Sequence, residues 1–220
     1  MTAQTTHVLA FLVLTLVCGL AVGLGRGGSL GALSRIWIAR PWLLLAVVAV
    51  LAVGRLVDPL HGPAWILATV GAALFARLNP KLPGLTLLSV GIALNALVIV
   101  VSGGDMPVSE WGAERAGVPV EDIRDSDFHT LADSDTSLRL LSDIIPLPLP
   151  VMPAVLSIGD VLMGSALALF GATAPVRANR TFQARRRAEK AAATAGRAAA
   201  ADGSAAAEPA DDAGPADDAG

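Results

Sequence analysis

The amino-acid sequence predicts an all-α integral membrane bundle of about five transmembrane helices, with the N-terminus outside and the C-terminus inside. Three observations carry this expectation. Apolar residues make up 54% of the chain and charged residues 16%, with a mean hydropathy of +0.62. The apolar residues gather into runs near the roughly 20 residues that cross about 30 Å of hydrocarbon. Connecting those runs in alternation puts twelve of the sixteen Lys and Arg on one side and four on the other, the asymmetry that the positive-inside rule requires.

The five expected spans are His7–Leu24, Pro41–Val57, Pro63–Leu78, Gly84–Val101 and Val151–Phe170. Pro41, Pro63 and Pro83 stand at or just before helix starts, where a missing N–H costs nothing. Arg26, Arg35 and Arg40 follow the first span, Arg77 and Lys81 the third, and a basic run from Arg177 to Arg197 the fifth. The opposite side holds Arg55, Arg115, Arg124 and Arg139. A four-span arrangement would place one of the basic groups on the wrong side. The expected organisation is therefore a membrane domain over residues 1–176 with an outer loop at 102–150, followed by a basic juxtamembrane segment and an Ala/Asp/Gly tail at 177–220. Beyond Arg197 the composition has nothing to bury and reads as disordered, while Thr181–Ala201 reads as a nascent Ala/Arg helix.

The same composition excludes several classes. The basic residues lack interleaved aromatics, which removes nucleic acid as a partner. The one cysteine, Cys18, forbids an intramolecular disulfide and, set between Val17 and Gly19, is expected to be a buried, inert thiol. Gly25-Arg26-Gly27-Gly28-Ser29-Leu30-Gly31 follows no strand and lacks the Lys-Ser/Thr pair of a phosphate loop. It reads instead as a turn into an interfacial helix over Ala32–Ala39, with Trp37 at headgroup level. The expected partner is the lipid bilayer of the cytoplasmic membrane, with a membrane-protein partner or a homodimer as further options; no cofactor and no metal is expected.

Asp160 is the sharpest candidate for function. It lies near the middle of the fifth apolar run, where a carboxylate costs roughly 2.5–3.5 kcal/mol on insertion scales. Asn95, on the span running the other way, comes to a similar depth, so a hydrogen bond between the two would satisfy both. Ser157, Asp160, Gly164 and Ala168 share one helical face, which makes the polar stripe also the close-packing stripe. The least demanding reading makes Asp160 and Asn95 glue between spans. Proton or ion handling and contact with a partner subunit are the alternatives. Gly19 and Gly23 have the small-x-x-x-small spacing of close helix packing, read as internal with a homodimer face behind it.

The outer loop carries ten acidic residues against three arginines. It is too short for a conventional core and is expected to rest on the spans as a lid, with an interfacial helix over Leu138–Ile145. Pro146 to Pro150 should form a stiff extended lead into the fifth span. The string Gly103-Gly104-Asp105-Met106-Pro107-Val108 closes the fourth span, either as a specific turn or as backbone lining a small site. Asp125-Ser126-Asp127-Phe128-His129 and Asp133-Ser134-Asp135 place oxygens at alternating positions, yet they lack the glycine and closing glutamate of a calcium loop. Zinc would need more than His129. The residues read as a solvated acidic face, with a His129–carboxylate acid–base pair as the enzymatic alternative.

Taken together, the Gly103–Val108 turn, His129, Leu-Ser-Asp-Ile-Ile-Pro (Leu141–Pro146, with Asp143) and Ser-Ile-Gly-Asp-Val-Leu (Ser157–Leu162, with Gly159) resemble a family of bacterial multi-pass membrane proteins. That family is catalogued only as a domain of unknown function, and the resemblance covers roughly Val8–Ala172. It implies the fold and the importance of Asp105–Val108 and Ser157–Asp160, and it implies no activity. The leading functional expectation is a structural or interaction component of the membrane. The alternatives are a small transporter or ion-coupled protein using Asp160, and an outward-facing enzyme or metal binder.

Overall fold

The computed structural model describes residues 3–205. Val8–Leu24 contains no charged residue, and it forms most of helix α1 (Ala3–Gly25). Ser29 caps the short α2 (Leu30–Leu33), its Oγ accepting the Ala32 N–H at 3.2 Å. Three further helices follow: α3 (Trp42–Leu56), α4 (His61–Leu78) and α5 (Leu85–Val101). A long final helix, here numbered after two short ones described below, is α8 (Ile158–Ala205). The helices over Gln4–Gly25 and Ile158–Ala199 are long and apolar enough to cross a membrane; Trp42–Leu56 and Leu85–Val101 are shorter apolar helices. By contact the chain divides into two units, Met1–Asn179 and Arg180–Gly220. In the second, α8 continues to Ala205, past Ala201, where the nascent helix was expected to end, and through residues beyond Arg197 that were expected to be disordered. Residues 206–220, the rest of the expected tail, lie outside the described residues.

Glycines set the helix crossings. A Cβ on Gly91 of α5 would stand 2.7 Å from the Gly159 carbonyl oxygen and 2.7 Å from Met163 Cγ of α8. A Cβ on Gly159 would overlap the Asn95 side chain. On the other side of α8, Gly19 and Gly23 abut the backbone at Ala168 and Gly171, and Gly164 meets the Phe11 ring. The Gly19–Gly23 pair is thus spent on internal packing of α1 against α8. Cys18, one residue round the helix from Gly19, is exposed rather than buried, because the opposite face of α1 makes the α8 contact.

The segment between α5 and α8 forms a small cap with its own core. Strand β1 (Met106–Val108) pairs in parallel with β2 (His129–Leu131), and β3 (Ile145–Leu147) pairs antiparallel with β4 (Ala154–Leu156). Two short helices, α6 (Glu110–Ala116) and α7 (Val120–Arg124), pack on them. Val108, Ala113, Ala116, Val118, Ile123 and Val155 form a buried cluster where no conventional core was expected. Short strands and two short helices, the first capped by Ser109, cover enough apolar side chain to do this within the segment.

Four local expectations are corrected. The apolar run Val151–Phe170 is not one helix: Ala154–Leu156 is strand, and the helix starts at Ile158. Asp160 therefore sits in the first turn of α8 rather than mid-helix. Pro146–Pro150 is not a lead into that helix but the first strand and turn of the β3–β4 hairpin. Leu138–Ile145 is a 3-10 turn (Arg139–Leu141) followed by extended chain, because Asp143 pairs with Val108 and pulls the backbone straight. The helix expected over Ala32–Ala39 stops at Leu33. The Asn79 side chain holds Ala39 at both its N–H (2.8 Å) and its carbonyl (3.1 Å), pinning the chain to the end of α4.

Because Gly91 and Gly159 are the contact point of α5 and α8, Gly159→Ala should destabilise the fold by about 1–3 kcal/mol, the usual cost of overpacking. Gly62→Ala, at an open helical position, should leave stability within about 0.5 kcal/mol. Equal denaturation midpoints for the two variants would contradict this crossing.

Candidate functional site

Helix α8 starts inside the bundle, so its first N–H groups need partners. Ser157 and Asp160 supply them reciprocally. The Asp160 N–H donates to Ser157 Oγ at 2.9 Å and the Ser157 N–H donates to Asp160 Oδ2 at 3.0 Å. This is a capping box with Asp in the position usually held by Glu. Asn95 completes it from α5: its Nδ2 donates to Asp160 Oδ1 at 2.9 Å, and Ser157 Oγ donates to its Oδ1 at 2.8 Å. Asn95, Ser157 and Asp160 are all buried. The expected Asn95–Asp160 contact is present, at the head of α8.

The Gly103–Val108 string is a helix stop that feeds a strand. Gly103 and Gly104 have φ of 82° and 123°, and the Gly104 N–H reaches back to the Ile99 carbonyl at 2.8 Å. That is the six-to-one closure of a Schellman turn. Strand β1 then holds a different partner on each edge. The Met106 N–H donates to the Phe128 carbonyl at 2.9 Å, fixing Phe128 and His129. On the other edge the Asp143 N–H donates to the Pro107 carbonyl at 3.0 Å, and the Ser109 N–H to the Asp143 carbonyl at 2.8 Å. Asp105 lies in the turn ahead of β1 and does not line the cavity described next.

Asp143, Asp160, Asn95, His129 and Met106 converge on one cavity of about 260 Å³. Its remaining wall comes from α1, α3 and α4, through Leu12, Leu51, Arg55, His61 and Trp65, with Phe128 beside His129. The carboxylates form one side. Asp143 is 3% exposed, and its Oδ1 has no hydrogen-bond partner. Burial first, then the charge of Asp160, pushes the Asp143 carboxyl well above its usual range, against the pull of a hydrogen bond from Gln4.

The opposite side is basic and aromatic. The Arg55 guanidinium lies 4.3 Å from the centre of the Phe128 ring and donates to Thr5 Oγ1 of α1. The edge of Phe128 meets His61 at 4.7 Å between centroids, and the Trp65 Nε1–H donates to His61 Nε2 at 3.0 Å. Burial, followed by the charges of Arg55 and His61, lowers the His129 imidazole to about 4. His129 is neutral at pH 7, its Nδ1 2.9 Å from Ser126 Oγ. The acidic strings flanking it turn elsewhere. Asp133 Oδ1 accepts from the Asp135 N–H at 3.0 Å and from Thr136 Oγ1 at 2.8 Å, closing a turn on itself. Among the described residues no group of three or more His, Cys, Asp or Glu side chains could hold a metal ion.

Sequence reasoning singled out Asp143, Asp160, Asn95 and His129 but did not bring Asp143 and His129 together, and it passed over Gln4, Arg55, His61 and Trp65. Gln4 is 1% exposed and clamps β4 with both ends of its amide, to the Val155 carbonyl at 2.6 Å and from the Val155 N–H at 3.1 Å. An uncharged polar residue in the first turn of α1, just ahead of the apolar run, gives no sequence signal for such a contact. His61 and Trp65 stand four apart on one helix, a spacing that does place them on one face.

Residues 32–172 match the family described as "Family of unknown function (DUF5317)". The chain belongs to this family. The match includes the cap, α5 and the head of α8, whereas α1, inside the range of the expected resemblance, lies before it. An uncharacterized protein of Thermotoga maritima is 34% identical over 99 residues, which is 44% of this chain and 55% of that protein. The chain thus spans about half of that relative's length. No solved structure matches the chain.

The depressed His129 pKa makes this DUF5317 protein sensitive to acid. An unfolded histidine titrates at 6.5 and the folded one near 4, so the native state binds fewer protons between those values. Stability from this group is complete above pH 6.5 and is lost as pH falls toward 4. His129→Gln should flatten the fall in melting temperature between pH 6.5 and 4. An unchanged profile would mean that His129 titrates as it does in the unfolded chain.

Proposed function

We propose that this DUF5317 protein is a five-span protein of the cytoplasmic membrane that serves as a binding component for a small ligand. In this reading α1, α3, α4, α5 and α8 cross the bilayer, the cap lies on the outer face, and the basic residues from Arg177 to Arg197 remain inside. The alternation of Lys and Arg along the sequence supports this orientation. The bilayer is the partner of the exposed apolar face of α1, which includes Val13, Val17 and Val22.

One observation carries the functional part: beneath the cap is a cavity with apolar walls and a few convergent polar groups, two of which end in buried atoms without partners, Asp143 Oδ1 and Arg55 Nε. Buried polar atoms of this kind cost about 1–3 kcal/mol each when left unmet, and both belong to residues that line the cavity, so a ligand that reached them would relieve that cost. Asp160 is a positioning residue here. Asn95 and Ser157 take up its two oxygens, which leaves Asp143 Oδ1 as the carboxylate oxygen of the lining without a partner. A second reading, an interaction protein whose cap docks another membrane component, rests on Trp111, Leu140 and Val151, which are exposed apolar residues of the cap.

Two measurements test these statements. In a Cys18→Ser background, Ser134→Cys should react in intact cells with a membrane-impermeant maleimide, and Thr194→Cys should react only after lysis. The reverse pattern, or labelling of both, would sink the five-span orientation. Protein extracted with native lipids should carry a stoichiometric small molecule that a cavity-filling Leu51→Trp variant loses. Equal small-molecule content in the two would remove the ligand reading, and a stoichiometric protein partner in its place would establish the second one.

A further inference from the structure

The cavity's chemistry narrows the class of its occupant, and the inference rests on the binding reading above. Two carboxylates, Asp143 and Asp160, line the cavity at 3% and 5% exposure. Two like charges withdrawn from water at one site resist joint ionisation unless a cation or a proton settles them. Asp160 spends its oxygens on Asn95 and on the Ser157 N–H, and Asp143 Oδ1 has no partner. The site therefore lacks a hydrogen-bond donor, preferably a charged one, at one definable atom.

The resident cation does not fill that role. Arg55 is held by Thr5 Oγ1 and by the Phe128 ring, with Asp127 as the carboxylate acting on it. The rest of the lining is largely apolar and includes Leu12, Leu51, Ile92, Trp65 and Met163. The volume, about 260 Å³, lies between the roughly 150 Å³ that holds a benzene ring and the roughly 300 Å³ where drug-sized pockets begin. A body of about ten heavy atoms is the right scale.

We infer that the cavity binds a small primary amine with an apolar or aromatic body, its ammonium group donating to Asp143 Oδ1 beside Asp160 and its body lying against Trp65 and Met163. Met163 and Met106 are adaptable surfaces for such a body. An anion at Asp143 is disfavoured, because its charge would sit beside the two carboxylates. A neutral alcohol would meet the hydrogen bond and leave the charge uncompensated. Burial and the charge of Asp160 raise the Asp143 carboxyl above its usual range, the direction expected of an oxygen that lacks a donor.

The test uses the full chain in lipid nanodiscs and three probes of one shape: 2-phenylethylamine, 2-phenylethanol and phenylacetate. The amine should bind at least tenfold more tightly than either analogue at pH 7. Asp143→Asn should abolish that preference, and Leu51→Trp should abolish binding of all three. Calorimetry in two buffers of different ionisation enthalpy should show proton release on amine binding by the wild type and none by Asp143→Asn. Asp160 of α8 and Gln4 of α1 act on Asp143, and Arg55 of α3, His61 of α4 and His129 of β2 are the other titratable groups of the same lining. His129→Gln, retaining the proton release, would assign it to the carboxylate. Tighter binding of the alcohol or the anion, blocked by Leu51→Trp, would overturn the amine inference and leave the binding reading intact. No binding of any probe, together with equal small-molecule content in the wild type and Leu51→Trp, would overturn both.

Discussion

The start of α8 is the constraint on which the rest of the structure depends. A helix whose first turn is surrounded by protein has N–H groups that water cannot reach, and each must be met from within. Ser157 and Asp160 meet two of them through their own side chains, and Asn95 ties that cap to α5. The carboxylate also lies at the positive end of the helix dipole, where negative charge is favoured. This network requires the backbones of α5 and α8 to approach closely, which the absence of side chains at Gly91 and Gly159 permits. Cap, crossing and hydrogen-bond network are thus one arrangement.

Much of this was legible in the sequence, for a physical reason. A polar side chain in an apolar run must find a partner, and few were available, so Asp160 and Asn95 could be paired from composition and direction alone. What hydropathy could not show was where the helix begins. Ala154, Val155 and Leu156 are as apolar as the helix that follows, and buried strands read as apolar runs just as buried helices do. The signal that separates them was present as Ser-x-x-Asp at 157–160, the pattern of a reciprocal cap, immediately after a segment punctuated by Pro148, Pro150 and Pro153. Weighing that pattern above the length of the run would have moved Asp160 from mid-helix to the first turn. Four of the five runs reappear as helices and the fifth does so only from Ile158 onward, and among the described residues two helices have the length and hydropathy of a full span.

The site was less legible because its parts are far apart in the chain. Asp143 and His129 become neighbours only through β1, which pairs with one of them on each edge. Parallel pairing of three-residue strands leaves no alternation long enough to detect. Arg55 counted in the sequence as one of four basic residues on the less basic side, a matter of topology. In the structure its guanidinium lies on the Phe128 ring and its side chain lines the cavity. The acidic strings around His129 drew attention to metal chemistry, yet Asp133 turns back on its own loop, and the carboxylate that faces the cavity is Asp143, from a string with one acidic residue.

Strand β1 links the two readings of function. It emerges from the Schellman turn that ends α5, so its position is set by the membrane helices. Its edges carry Asp143 and His129, which face the cavity, and its far side, through Val108, packs into the core of the cap. A change of charge at Asp143 acts on a residue whose N–H and carbonyl are both bonded to β1, so side-chain movement there loads the strand rather than a free loop. The cap's core residues Val108, Ala113 and Val155 have no exposed surface, and a packed interior of that kind shifts as a unit rather than yielding locally. The exposed Trp111 lies on α6, the helix that packs on this core. The cavity lining and the helix that carries Trp111 thus share one packed element, β1 with the core around Val108.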